Sequence, residues 1–261
     1  MRLDDILDSR SRRIQIMQGN VITGAGYLFR GLAMLSQPGI WPFVILPLLA
    51  NIGFFLFLGG AAYSYVTDLV ATTEQALPAW LSFITWIIAP LLWLTGALAT
   101  GYLSTFIVLL LTSPFHALLA EKVEERVSGQ ALDGLENIGA ALLEIPRGIF
   151  RELRKIAYYV PLAVAVLIIS LIPGAQAIAP LLWFLLGAWM MSLQFLDYPM
   201  DNHRLPFREV RSACASRRLS SLGFGGMVAF VTGVPVINLI VIPAAVIGAT
   251  LFWCEEFRGR H

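Results

Sequence analysis

The residues of this chain best suited to chemistry are a few cations and carboxylates set beside small or turn-forming neighbours. Arg30 stands next to Gly31 and Leu32, in a stretch that also holds Gly19, Gly24 and Gly26 and runs into Ser36-Gln37-Pro38-Gly39. A guanidinium offers paired donors in a fixed fork, glycine lets backbone approach a ligand, and a helix N-terminus adds unpaired N–H groups. That combination suits a tetrahedral oxyanion. The same arginine can instead lay its stem along lipid and reach headgroup phosphate. The densest polar run is Asp197 to Glu209, which includes Asp201, Asn202, His203, Arg204 and Arg208. Asp201 and His203 suit proton coupling and Arg204 or Arg208 anion contact, while Asp201 and Asn202 equally suit helix capping and turn formation.

Other chemistries lack their residues. Only two lysines exist, Lys122 and Lys155, and neither follows a glycine-rich loop, so no Walker A phosphate site is available. The run Gly24-Ala25-Gly26 lacks the third glycine of a dinucleotide fingerprint. Cys214 and Cys254 have neither a partner at metal spacing nor the number for a disulfide framework, and His116 has no second ligand nearby in sequence. No metal, cofactor or catalytic residue is expected, and the chain is not read as an enzyme. A net charge of +1 gives no basic field for nucleic acid.

The elements that must carry these residues belong to a membrane protein. The 261 residues are 57% hydrophobic and 13% charged, with mean hydropathy +0.74. A soluble domain carries about a quarter charged residues and could not cover so much apolar surface. The start, Met1-Arg2-Leu3-Asp4-Asp5, is too acidic for a cleavable signal peptide. Residues 1–39 are expected to form an N-terminal interfacial segment. Charge-free stretches then predict a transmembrane helix over 40–66, about 40 Å long, and a second over 77–120 with a cytoplasmic overhang. In that second span Gly96/Thr100 and Ala97/Gly101 form small-xxx-small pairs suited to close helix packing.

Two further apolar stretches are broken by proline. Pro161, Pro173-Gly174 and Pro180 interrupt residues 160–196, and Gly233, Pro235, Asn238 and Pro243 interrupt 219–254. Both are expected to be helical hairpins, related as a weak internal repeat. Their tips carry Gln176 and Asn238 as the only strongly polar side chains, which makes these candidates for lining a pore. Tips so poor in charge predict partial penetration, with both arms on one side; four ordinary spans are the alternative. Between the spans and the first hairpin, residues 121–158 form a cytoplasmic helical segment. An amphipathic helix starting near Pro146 sets Ile149, Phe150, Leu153 and Ile156 against Arg147, Arg151, Arg154 and Lys155, a basic stripe expected to meet headgroups at the interface.

All 18 Lys and Arg fall in residues 1–39, 121–155, 197–218 and 255–261, whereas 67–76 holds Asp68 and Glu74 and no base. The positive-inside rule therefore puts 67–76 outside and the four basic segments in the cytoplasm.

The motifs Leu35-Ser36-Gln37-Pro38-Gly39-Ile40 with Phe43-Val44-Ile45-Leu46-Pro47-Leu48, Ser113-Pro114-Phe115 with Leu118-Leu119-Ala120-Glu121, Asp197-Tyr198-Pro199 with Asp201-Asn202-His203, and Asn238 with Pro243 through Trp253 resemble the CysZ-type sulfate transporters, collinearly from Gly26 to Arg258. The resemblance implies an all-α integral membrane protein with two long transmembrane helices plus two partially penetrating hairpins. It implies a bacterial inner-membrane location and assembly as a homo-oligomer, a dimer or trimer of dimers. It also implies sulfate uptake without ATP for cysteine biosynthesis. The family's sulfate-binding motif, Gly-apolar-basic, falls on Gly31, Leu32 and Ala33. The basic third residue is replaced by alanine, and Arg30 on the other side of Gly31 is the candidate to supply the charge. The alternative function is a membrane scaffold or regulator that shapes the bilayer or docks a partner without transporting.

Overall fold

A computed structural model describes residues 19–129 and 145–258 of the chain. Among the described residues all regular structure is helical, in the order α1 (Val21–Leu35), α2 (Trp41–Ala76), α3 (Thr85–Ser128), α4 (Ile145–Leu171), α5 (Ala179–Asn202), α6 (Phe207–Ser216), α7 (Arg218–Thr232) and α8 (Pro235–Glu256). Short 3-10 turns at Ala79–Ile84 and Ala175–Ala177 precede α3 and α5. Among the described residues four stretches are long and apolar enough to cross a membrane: Trp41–Ala76, Trp80–Ser104, Pro146–Leu171 and Ala179–Asn202. Most of the large side chains on the first three face outward, as lipid-facing residues must.

Two compact units form, one from Met1–Val44 with Pro114–His261 and the other from Ile45–Ser113. Within the smaller unit α2 meets α3 where Gly96 faces Val66, where Tyr63 tilts against Trp93 with centroids 5.3 Å apart, and where Asn51 Nδ2 donates to Thr112 Oγ1 at 3.1 Å. Apolar lipid gives no hydrophobic drive to pair helices, so a small residue and an interhelical hydrogen bond are what fasten them. Asp68 and Glu74 lie on the last turns of α2, which runs well beyond the end expected from sequence.

The larger unit holds the core. α1 lies in a groove between α7 and α8, and α7 packs on α5. Glycines permit these approaches. A Cβ on Gly24 would strike the Ser220 carbonyl and one on Gly223 the Val21 carbonyl; Gly31 and Gly248 face the carbonyls of Ala244 and Tyr27 in the same reciprocal way. Thus α1 is a packing element with one buried face, capped at its start by Asn20 Oδ1, which accepts from Ile22 N–H at 2.8 Å. At Gly24 and Gly31 the glycine-rich segment sets backbone against backbone, whereas Gly26 faces open space.

Proline proves a weaker breaker than its spacing suggested. Pro47, Pro161, Pro199 and Pro243 all lie inside continuous helices. Each removes one backbone donor, but the surviving bonds on either side hold the helix, with burial adding to this at Pro47, Pro199 and Pro243. The turn between α4 and α5 comes at Gly174, whose φ of 87° is open to glycine at no steric cost.

The amphipathic start of α4 is also corrected. Its apolar residues Ile149, Phe150, Leu153 and Ile156 are exposed, whereas Arg151 and Lys155 are buried. Arg151 and Lys155 turn inward onto carboxylates of α5, where a buried cation needs a paired anion, while Arg154 stays exposed on the outer face.

Candidate functional site

Positions 24, 27, 28, 31 and 34 form the buried stripe of α1, which leaves Arg30 and Ala33 on its outer face. Residues three apart on a helix are neighbours, so a cation at 30 reaches the surface that a cation at 33 would occupy. The Arg30 guanidinium forks onto Glu255 in the last turn of α8: Nη1 donates to Oε2 at 2.9 Å and Nη2 donates to Oε1. Tyr27, one turn earlier, has its hydroxyl 3.2 Å from Glu255 Oε2 and 3.4 Å from Glu256 Oε1, so its one proton has two carboxylate acceptors, Glu255 being the nearer. Its ring stacks on Phe252 at 4.8 Å and lies 5.2 Å beneath the guanidinium. The hydrogen bonds from Arg30 hold the Glu255 carboxyl below the usual carboxylate range, and burial pushes the Tyr27 hydroxyl up, so it stays protonated as a donor. Arg30 and Glu255 are about half exposed. Gly31 and Leu32 turn to the packing side, Gly31 against α8 and Leu32 against the core.

A second polar cluster joins α4 to α5. Arg151 grips both oxygens of Asp197, and Lys155 Nζ adds a bridge to Asp197 Oδ2 at 3.0 Å. Arg151 Nη1 reaches Asp201 Oδ1 at 2.7 Å and the Leu205 carbonyl at 2.8 Å, and Arg147 meets Asp201 at 2.7 Å. Lys155 completes its shell with Glu152 at 2.6 Å and Gln194 at 3.1 Å. Three cations face three carboxylates, with side-chain exposures of only 8%, 7% and 4% for Arg151, Asp197 and Lys155. A charge-balanced network with a buried heart of this kind clamps helices and leaves little charge for a passing anion.

A third cluster surrounds Glu124 on α3. Its carboxylate is fully buried, accepts at Oε1 from His203 Nε2 at 2.8 Å, and meets Arg258 Nε at 3.3 Å. The His203 ring lies 5.6 Å from Trp253, and neighbouring Asn202 donates to the Ala117 carbonyl at 3.1 Å. Hence His203 and Asn202 tie the α5 terminus to α3. Arg204 follows with a φ of 61°, in the left-handed region, where the chain turns after α5. A β-carbon there costs about 1 kcal/mol, so Arg204→Gly is expected to raise the thermal midpoint by about 2–4 °C. A midpoint that falls would show that the arginine side chain stabilises this turn by more than its backbone strain costs.

The sequence-selected residues therefore divide among separate places. Arg30 heads the α1–α8 pair, Asp201 belongs to the α4–α5 clamp, and His203 belongs to the Glu124 cluster. Gln176 is exposed in the turn before α5, one helix length of about 36 Å from Asp201. Asn238 lies in the first turn of α8, about 25 Å along that helix from Glu255. Sequence reasoning missed Glu255, Tyr27 and Glu124. The α4–α5 clamp was legible in part: Arg147, Arg151 and Lys155 repeat every four residues on one helix, and Asp197 and Asp201 repeat every four on another. Among the described residues no group of three His, Cys, Asp or Glu could hold a metal ion.

Residues 27–243 match a family profile described as sulfate transporter CysZ/etoposide-induced protein 2.4. The chain is 39% identical over 249 residues to a sulfate transporter CysZ of Vibrio cholerae serotype O1, strain O395, covering 94% of this chain and 98% of the relative. The same identity and coverage hold for the sulfate transporter CysZ of the El Tor Inaba strain.

Proposed function

The chain belongs to the sulfate transporter CysZ/etoposide-induced protein 2.4 family, and from that premise we propose that it takes up sulfate across the bacterial inner membrane without ATP, supplying sulfur for cysteine biosynthesis. The observation that carries this reading is the collinear likeness to named sulfate transporters over nearly the whole of both chains. The half-exposed Arg30 guanidinium supports it, standing on the same helix face as Ala33, where the family motif has its base. Gly31 and Leu32 contribute by packing α1 so that Arg30 is held outward.

In this reading α2 and α3 cross the bilayer, and the α4–α5 and α7–α8 hairpins enter it in part from the cytoplasmic side. The α7 arm, at 15 residues, spans only about 22 Å against a hydrocarbon core of about 30 Å, which supports partial entry of the second hairpin. The basic segments sit in the cytoplasm, and lipid covers the exposed apolar surfaces of α2, α3 and α4. The protein works as a homo-oligomer, a dimer or trimer of dimers. Sulfate is a strongly hydrated dianion, so its route must offer N–H and O–H donors yet release the ion at the far side. Gln176 and Asn238 at the hairpin tips, with Arg204 at the opposite end, are candidates to line that route, and Asp201 and His203 are candidates for proton coupling beside it.

The test is uptake of labelled sulfate into proteoliposomes holding only this protein, with and without an imposed pH gradient. Uptake down the sulfate gradient is expected, resistant to excess chloride. Arg30→Ala is expected to reduce sulfate affinity by about tenfold or more, since hydrogen bonds to a charged group contribute about 1.5–3 kcal/mol. No uptake by correctly folded protein would transfer the assignment to a membrane scaffold.

A further inference from the structure

We infer that the Arg30 guanidinium and the Tyr27 hydroxyl form one oxyanion cradle, and that the Glu255 carboxylate sits in it as a built-in competitor which an entering dianion must displace. The inference rests on the proposal that Arg30 receives sulfate, and adds to it Tyr27 as a ligand and Glu255 as the group that sets the affinity.

The geometry is that of an occupied anion site. Both carboxylate oxygens are held: Oε2 accepts from Arg30 Nη1 at 2.9 Å and from the Tyr27 hydroxyl at 3.2 Å, while Oε1 accepts from Arg30 Nη2. A guanidinium fork binds carboxylates and tetrahedral oxyanions through the same paired donors, so three donors that fit two carboxylate oxygens also fit two oxygens of sulfate. The cradle is rigid. Tyr27 is 2% exposed, its ring is stacked on Phe252, and the guanidinium rests over that ring.

Two contrasts separate this pair from a plain structural ion pair. First, the Arg151–Asp197–Lys155 heart of the α4–α5 clamp is buried, whereas Arg30 and Glu255 are half exposed, so water and a hydrated ion reach them. Second, the contact between α1 and α8 does not depend on the pair. Gly31 and Gly248 already bring the two backbones together, and Tyr27 already stacks across the contact. Removing Glu255 leaves that packing in place. Glu256 stays beside Tyr27 and bridges Arg217 at 3.0 Å, so a carboxylate remains near the cradle after Glu255 swings out. A transporter needs such a ceiling on affinity, since an ion bound too tightly does not leave. The apparent affinity is then the intrinsic affinity reduced by the fraction of molecules with Arg30 released.

The experiment is calorimetric titration of sulfate into the full-length protein in detergent, for the wild type and for Glu255→Gln, Glu255→Asp, Tyr27→Phe and Arg30→Ala. Glu255→Gln is expected to bind sulfate about tenfold more tightly, as it would if the free cradle were about a tenth populated in the wild type. Glu255→Asp keeps the charge but shortens the reach, and is expected to fall between the two. Tyr27→Phe keeps the stack and loses a donor, so binding is expected to weaken several-fold. Glu255→Gln that binds no tighter than wild type, or shows no saturable binding, overturns the competitor even if Arg30→Ala abolishes binding, in which case the Arg30 site itself stands. Arg30→Ala with wild-type affinity removes the Arg30 site and this inference together.

Discussion

Asp197→Ala is expected to lower the unfolding free energy by about 3–5 kcal/mol, which is the range for stripping one partner from a buried ion network. Asp197 accepts from both Arg151 and Lys155, and each of those cations is itself buried. Its removal leaves two positive charges short of a counter-ion in a place water reaches poorly, and desolvation of an unpaired charge is the larger cost. Asp201 still meets Arg151, and Glu152 still meets Lys155, so the network is weakened rather than emptied. The readout is the thermal midpoint in detergent, with a drop of about 6–20 °C at about 2–4 °C per kcal/mol. The Asp201→Ala protein is expected to lose less, because Asp201 is more exposed than Asp197. Equal and small losses at both positions would show that the clamp does not hold α4 to α5.

The second large effect is steric and distinguishes two glycines of one helix. Gly31→Ala places a methyl group on the Ala244 carbonyl and against Gly248, so α1 and α8 must separate and the Tyr27–Phe252 stack must open. The expected loss is about 3 kcal/mol, the upper part of the usual overpacking range. At Gly26 the same substitution meets open space. There alanine is expected to stabilise by about 0.5–1 kcal/mol, the ordinary gain over glycine inside a helix. Opposite signs in two melting curves, five residues apart on α1, would confirm that Gly31 is held by packing. A neutral Gly31→Ala would instead return this glycine to the anion site and remove the close crossing as its explanation.

Much was legible before any fold was known. Composition and the charge-free stretches give a helical membrane protein, because lipid tolerates only backbone that satisfies its own hydrogen bonds. The amphipathic periodicity from Pro146 was also read correctly as a helix. Its direction was not: the sequence shows that Arg151 and Lys155 share a face opposite Phe150, but not that this face looks inward. That depends on Asp197 and Asp201 arriving opposite it, more than 40 residues later in the chain. Proline positions misled for a related reason. A proline marks a lost donor, yet the helix runs on through exposed Pro161 on its surviving backbone bonds and through Pro243 inside the packed core.

The candidate site divides along the same line. Sequence alone determined that Arg30 is a lone cation beside Gly31 at the edge of a long apolar stretch, and that neither lysine stands in a Walker A motif. Only the tertiary structure decided that Arg30 is already neutralised by Glu255, 225 residues away, with Tyr27 as the third donor. It likewise decided that Gly31 serves a helix crossing, and that His203 is tied to a buried Glu124. The physical reason is that hydropathy and periodicity are properties of neighbours along the chain, whereas charge pairing falls off with distance in space. Which two ions meet is fixed only when close-packed backbones carry them within hydrogen-bonding reach.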